Sequence, residues 1–185
     1  MRTTTMVFLG LLFLTNACRN DPKNKLETIQ RQELAKGFRN DTLFMGLFLG
    51  MEQQEFYNFC WAMNKKGVFT EGENKLVECQ LGKKNFYYPM QMNFFPQFKN
   101  GKINVMPVKF TYKGIDLSYP NGQTEKLLKD VKTQLAEWFG DGFFKTPLPT
   151  GGEGFVQVKG NRRIMVVVEK DYEVMVVFTD LAAGQ

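Results

Sequence analysis

Apolar residues recur at helical spacing in two stretches of the chain and at alternate positions in most of the rest. Within residues 52–66, Phe56, Phe59, Cys60 and Met63 fall at i, i+3, i+4 and i+7, the stripe of a core-facing helix. Glu52 and Glu55 at its start and Lys65 and Lys66 at its end suit the helix dipole, and Gly67 stands ready as a cap. Tyr57 and Trp61 add a second i, i+4 pair, read as wider contact with the core or, alternatively, as part of a partner groove. Residues 123–139 repeat the helical pattern with Leu127, Leu128, Val131, Leu135 and Trp138.

Elsewhere the period is two. Val77, Cys79 and Leu81 alternate with Glu78 and Gln80, as in a half-buried strand. Residues 85–98 and 102–112 flank Asn100-Gly101, a strong hairpin signal. Pro89, Pro96 and Pro107 inside these runs predict edges or bulges, because proline donates nothing to a ladder. Residues 43–50 read as a buried extended segment, and residues 140–154, rich in glycine and proline, as an irregular connection. Strands follow at 155–159, 162–169 and 174–179. This order predicts an α+β fold of two layers: an antiparallel sheet with two amphipathic helices on one face, and an αβββ-αβββ pseudo-repeat in element order.

The last hairpin carries the sharpest expectation. Pairing it across Asp171-Tyr172 puts Met165, Val167, Val174, Val176 and Phe178 on one face, and Ile164, Val166, Val168, Met175 and Val177 on the other. Both faces are apolar, and helices on one side shield only one of them. The second set is predicted to be either an interaction face or a surface covered by residues 26–49.

Ahead of the domain lie Arg2, an apolar run over residues 6–14, and Leu14-Thr15-Asn16-Ala17-Cys18. The run is too short to span a bilayer, which takes about 20 apolar residues. It is laid out as a signal peptide over residues 1–17, cleaved between Ala17 and Cys18. Residues 18–40 are expected to be a tether, either a short helix or linker over 26–36, and residues 41–185 a single domain.

The Ala17-Cys18 junction resembles the lipobox of bacterial lipoproteins, in the looser form of Bacteroidota-type envelope lipoproteins. The resemblance implies that Cys18 is lipidated and that the membrane is a partner. Arg19 follows the cysteine instead of Asp, and residues 19–25 hold no acidic run. By the same resemblance this places the protein at the outer membrane, facing the periplasm. Gly50-Met51, Glu55-Phe56 and Asn100-Gly101-Lys102-Ile103 resemble the small lipoproteins of the outer-membrane β-barrel assembly machine. The doubled helix-plus-sheet layout resembles β-lactamase-inhibitor-protein-like domains. The helix over 56–67 and the turn Gly160-Asn161-Arg162-Arg163-Ile164 resemble uncharacterised Bacteroidota lipoproteins.

Composition narrows the chemistry. The 185 residues are 43% hydrophobic and 14% aromatic, enough for a packed core, with a formal charge of +5. The bases are scattered, which speaks against nucleic acid. There is no histidine, which removes Ser-His-Asp and Cys-His catalysis and histidine-bound zinc. Beyond Cys18 only Cys60 and Cys79 remain, either a disulfide or two buried thiols. Gly160-Asn161-Arg162-Arg163 is read as a hairpin turn with solvated arginines, or alternatively as an anion site. Gly151-Gly152-Glu153-Gly154 lacks the Lys-Ser/Thr of a phosphate loop. Asp141, Glu153, Asp171 and Asp180 form no catalytic spacing. The expectation is a non-enzymatic envelope lipoprotein without cofactor or metal, binding an envelope protein. The alternative is a periplasmic carrier of a small apolar or lipidic ligand.

Overall fold

The computed structural model describes residues 22–82, 86–114, 122–149 and 151–183; the expected signal peptide over residues 1–17, with Ala17, and Cys18 lie outside them. Helices α1 (Pro22–Ala35), α2 (Gln53–Lys65) and α3 (Gln123–Phe139) accompany nine strands. The strands are β1 (Phe69–Glu71), β2 (Val77–Leu81), β3 (Met90–Phe94), β4 (Gln97–Lys99), β5 (Lys102–Tyr112), β6 (Phe144–Pro147), β7 (Glu153–Lys159), β8 (Arg162–Lys170) and β9 (Glu173–Asp180). They form one antiparallel sheet ordered β1-β2-β3-β5-β9-β8-β7-β6, with β4 paired to β5. The fold is α+β. The repeat of element order appears with more strands than expected: each half is a helix followed by an antiparallel meander, and the halves meet where their last strands, β5 and β9, pair.

Prolines shape the first half. β3 and β4 pair with the same edge of β5, and Phe95-Pro96 separates them. Pro107, in the middle of β5, lies in register with that interruption, since pairing stops at Phe94↔Val108 and resumes at Gln97↔Val105. Its missing donor therefore falls where no ladder partner is needed. Asn100 and Gly101 both take positive φ, 52° and 74°, and close the β4–β5 hairpin as a type I′ turn.

One face of the sheet holds the core. Met92, Phe94, Met106, Val108, Phe110, Ile164, Val166, Val174, Val176 and Phe178 are at most 1% exposed. Leu127, Val131 and Leu135 of α3 are fully buried against them. Residues 43–51 fill the space beside α3, but not as an extended segment. Leu43 N–H bonds Leu47 O at 2.9 Å, and Met45 and Gly46 take positive φ, so the chain turns tightly. This presses Leu43, Phe44, Leu47, Leu49 and Met51 into the core. Phe44 meets Phe94, Phe178 and Trp138 at ring separations of 5.0, 5.7 and 5.9 Å.

Helix α1 is the departure from a tether. Leu26, Ile29, Gln30, Glu33 and Leu34 share a half-buried stripe at i, i+3, i+4, i+7 and i+8. The helix packs on β6 and β7, with Lys25 Nζ 4.9 Å from the Phe144 ring and Gln30 Oε1 accepting from Arg163. Phe144 pairs with Val156, Val156 with Met165, and Arg163 with Val158, so α1 lies on the face opposite the core. The two-helices-on-one-face expectation holds for α2 and α3, and α1 begins a second layer behind the sheet.

Candidate interaction face of the sheet

The polar turn at residues 160–163 sets up everything behind the sheet. Leaving α1, the chain must pass round the end of the sheet to reach the core, and this turn holds it there. Glu33 accepts from Gly160 N–H at 2.9 Å, and a Cβ on Gly160, whose φ is +59°, would stand 2.5 Å from Phe38 O. Asn161 Oδ1 accepts from Asn40 N–H at 2.6 Å, while its amide nitrogen donates to Asp41 and Asp180 at 2.8 and 2.9 Å. Arg39 bridges the same two carboxylates at 2.7 and 2.9 Å. Arg162 reaches the core side, where it bonds Thr42 O and lies 4.4 Å from the Phe139 ring. Arg163 points the other way, to Gln30 and Thr179.

Arg162 is buried and Arg163 half-buried, each bonded within the fold, and neither is aimed at a free anion. Burial pushes Arg162 down to about 10 and lowers Arg163 as well. Burial alone would raise the Asp180 carboxyl, but hydrogen bonds from Asn161, Arg39 and Ala182 N–H outweigh it and hold it below the ordinary carboxylate range. The turn is a buckle that fastens residues 22–42 round the sheet, and sequence pattern alone gave no sign of its partners 120 residues upstream.

The register of β8 and β9 revises the hairpin faces. Ile164↔Phe178, Val166↔Val176 and Val168↔Val174 are opposite pairs, so these six residues share the core side. Ile164 and Val166 are fully buried, and Val168, at the end of the hairpin, is 41% exposed. Met165↔Val177 and Val167↔Met175 form the other side. The predicted interaction face therefore mixed two surfaces: Ile164, Val166 and Val168 belong to one, Met175 and Val177 to the other. The error is a one-residue slip. Even pairing across Asp171-Tyr172 is what the sequence predicts, whereas Val168↔Val174 is followed by Lys170↔Glu173 with a register shift between them, and Tyr172 takes a φ of 67°.

Corrected, the face behind the sheet carries Met165, Val167, Met175 and Val177, with Pro107 and Lys109 beside them on β5. All are half-buried. On one flank sits α1, over β6 and β7. On the other the face turns polar: Gln91, Asn93 and Glu78 are joined by hydrogen bonds at 3.0 and 3.1 Å. Lys109 pairs with Glu173 at 3.6 Å along the rim. A depression of about 250 Å³ lies between Leu76, Phe95, Pro107 and Met175. The apolar stripe over β8, β9 and β5 is about 10 Å wide, two strand spacings, and none of the described helices crosses it.

Other sequence candidates have structural roles. Cys60 and Cys79 are free thiols, both pushed up to about 11 by burial; no disulfide joins them. Tyr57 and Trp61 are 41% and 63% exposed, so the second aromatic pair of α2 lies on the surface, with Lys65 Nζ 3.5 Å from the Trp61 ring. Gly154 lets Leu148 and Val166 O approach to 2.9 Å of where its Cβ would be. Glu153 pairs with Lys145 at 2.9 Å. Among the described residues no group of three His, Cys, Asp or Glu converges on a metal position, and no helix is long and apolar enough to cross a membrane. The layer between sheet and α3, where a carried ligand would sit, is filled by Leu127, Val131 and Leu135.

No protein-family model matches the chain, and no curated protein or solved structure matches it.

Proposed function

We propose that the chain is a non-enzymatic envelope lipoprotein of the Bacteroidota type, anchored through Cys18, whose open sheet face binds an envelope protein. The observation that supports the binding role most is the half-buried stripe of Met165, Val167, Met175 and Val177, on the side of the sheet away from its core. The anchor rests on the signal-like leader and Ala17-Cys18. Several acyl chains on one cysteine hold a protein almost permanently, at about 0.8 kcal/mol per buried methylene. Docking of α1 supports a close association with the surface, since only residues 18–21 separate the anchor from the helix. Those four residues span at most about 14 Å.

Two measurements test the reading. Cys18→Ala should lose labelled fatty acid and leave the membrane fraction; retained label and membrane residence would exclude the anchor. A photo-crosslinking residue at Val177 should trap one envelope protein in cells, and the same residue at Trp61, exposed on α2 on the other side of the sheet, should not. Equal yields at both sites would exclude the face.

A further inference from the structure

The solvent side of α3 has a second surface of a different kind. Lys126, Lys129 and Lys132 recur at i, i+3 and i+6 and line up along the helix. Each lies against an aromatic ring: Lys126 and Lys129 Nζ are 5.7 and 5.6 Å from the centroid of Tyr87, and Lys132 Nζ is 4.0 Å from that of Phe155. Tyr87 is itself 45% exposed. Among the described residues no carboxylate forms an ion pair with any of the three. The nearest acid on the inner side of the helix, Asp130, is 3% exposed and occupied: it accepts from Tyr87 N–H at 2.7 Å and Tyr112 O–H at 2.6 Å. That arrangement fixes the Tyr87 loop to α3 and so fixes the ring under the lysines. Among the described residues, two acids line the adjoining depressions: Glu125 in one, and the already occupied Asp130 in the other. These depressions, about 390 and 380 Å³, meet at Lys129 and Thr133.

We propose that this lysine ridge, with Tyr87 beside it, is a docking surface for an acidic segment of a partner protein. Cations without an ion-pair partner, over the exposed Tyr87 ring and the half-buried Phe155 ring, attract carboxylates without first having to break an internal ion pair. The depression along α3 beside Leu128 and Ala136, mainly apolar, receives a flanking side chain of such a segment, and the one at Phe86 and Tyr87, of mixed lining, receives another. An anionic bilayer is the other bearer of negative charge, and the fold argues against it. α3 and α1 lie on opposite faces of the sheet, so the solvent side of α3 is about 25 Å from α1, taking about 10 Å per packed layer. If Cys18 is the anchor, residues 18–21 reach only about 14 Å, and the ridge faces away from the membrane. The docking claim itself does not depend on the anchor.

The test uses the full chain in a neutral detergent, titrated with a fluorescent polyglutamate peptide and, separately, with phosphatidylglycerol vesicles. The peptide should bind, and binding should weaken at high salt. Substituting Lys126→Ser, Lys129→Ser and Lys132→Ser together should weaken it about tenfold or more. The matching Lys→Arg variant should keep it, as should Lys65→Ser, Lys66→Ser and Lys75→Ser together. Circular dichroism of each variant checks that α3 is intact; if the serine variant unfolds, protection of Lys129 from acylation by bound peptide replaces it as the readout. Absence of peptide binding, or equal loss in the two serine variants, would overturn the proposal. So would vesicle binding through these lysines without peptide binding, which would give the ridge to lipid.

Discussion

Asn161 is 2% exposed, and its side chain meets Asn40, Asp41 and Asp180 at once. Asn161→Ala takes a partner from all three, of which only Asp41 and Asp180 keep Arg39, and the expected loss is about 2–4 kcal/mol in urea unfolding. A loss below about 0.5 kcal/mol would mean that the buckle holds nothing. Gly160→Ala should be costly for a separate reason, because a Cβ there combines a left-handed φ with a 2.5 Å approach to Phe38 O; about 2 kcal/mol or more is expected. The same site sets an acid limit. Asp180 and Glu33 both have lowered carboxyl values in the fold, Glu33 chiefly through the hydrogen bond from Lys36. A carboxyl lowered by folding stabilises above its unfolded value of about 4 and loses that contribution as pH falls through the folded value. Stability should therefore drop below about pH 4, and Asp180→Asn should flatten that drop. An unchanged acid slope in the variant would remove Asp180 from the account.

Among the elements, α2 and α3 were legible almost to the residue, because their stripes face one core and their caps are local. Gln53–Lys65 and Gln123–Phe139 fall within the predicted spans. Leu135→Ala, at a fully buried position, should cost about 2–5 kcal/mol. Trp61→Ala should stay within about 0.5 kcal/mol, despite the size of the side chain, because it lies on the surface. Strands β1 and β6 escaped the pattern, and β4 falls with β3 in the single predicted run over 85–98. These three, β1, β4 and β6, have three or four residues each, and β6 sits in a stretch dense with glycine and proline, where an edge strand and a loop look alike. Helix α1 is ambiguous for another reason: its stripe holds Gln30 and Glu33, whose distant partners, Arg163 and Gly160, lie far along the chain. Ile29→Asp should release α1 alone. Hydrogen exchange should then show its amides unprotected while α3 keeps its protection; a uniform loss would mean that α1 belongs to the main cooperative unit.

At the scale of the molecule, one sheet separates two environments. The core side is closed by α2, α3 and residues 43–51. The far side is half-covered by α1, and beyond it lies the Met165, Val167, Met175 and Val177 stripe. That both sides of the last hairpin are apolar could be read from composition. Which residue faces which way could not, because a single shifted pair in a turn reverses an entire strand. The open face is the central claim, and adjacent residues of β9 test it directly. Val176 is fully buried and Val177 half-buried on the opposite side. Urea unfolding of Val176→Asp and Val177→Asp should differ sharply: several kcal/mol lost at Val176, where the charge is buried without a partner, and about 1 kcal/mol or less at Val177, where water reaches it. Equal losses, or a larger loss at Val177, would mean that the face behind the sheet is covered and would contradict the account.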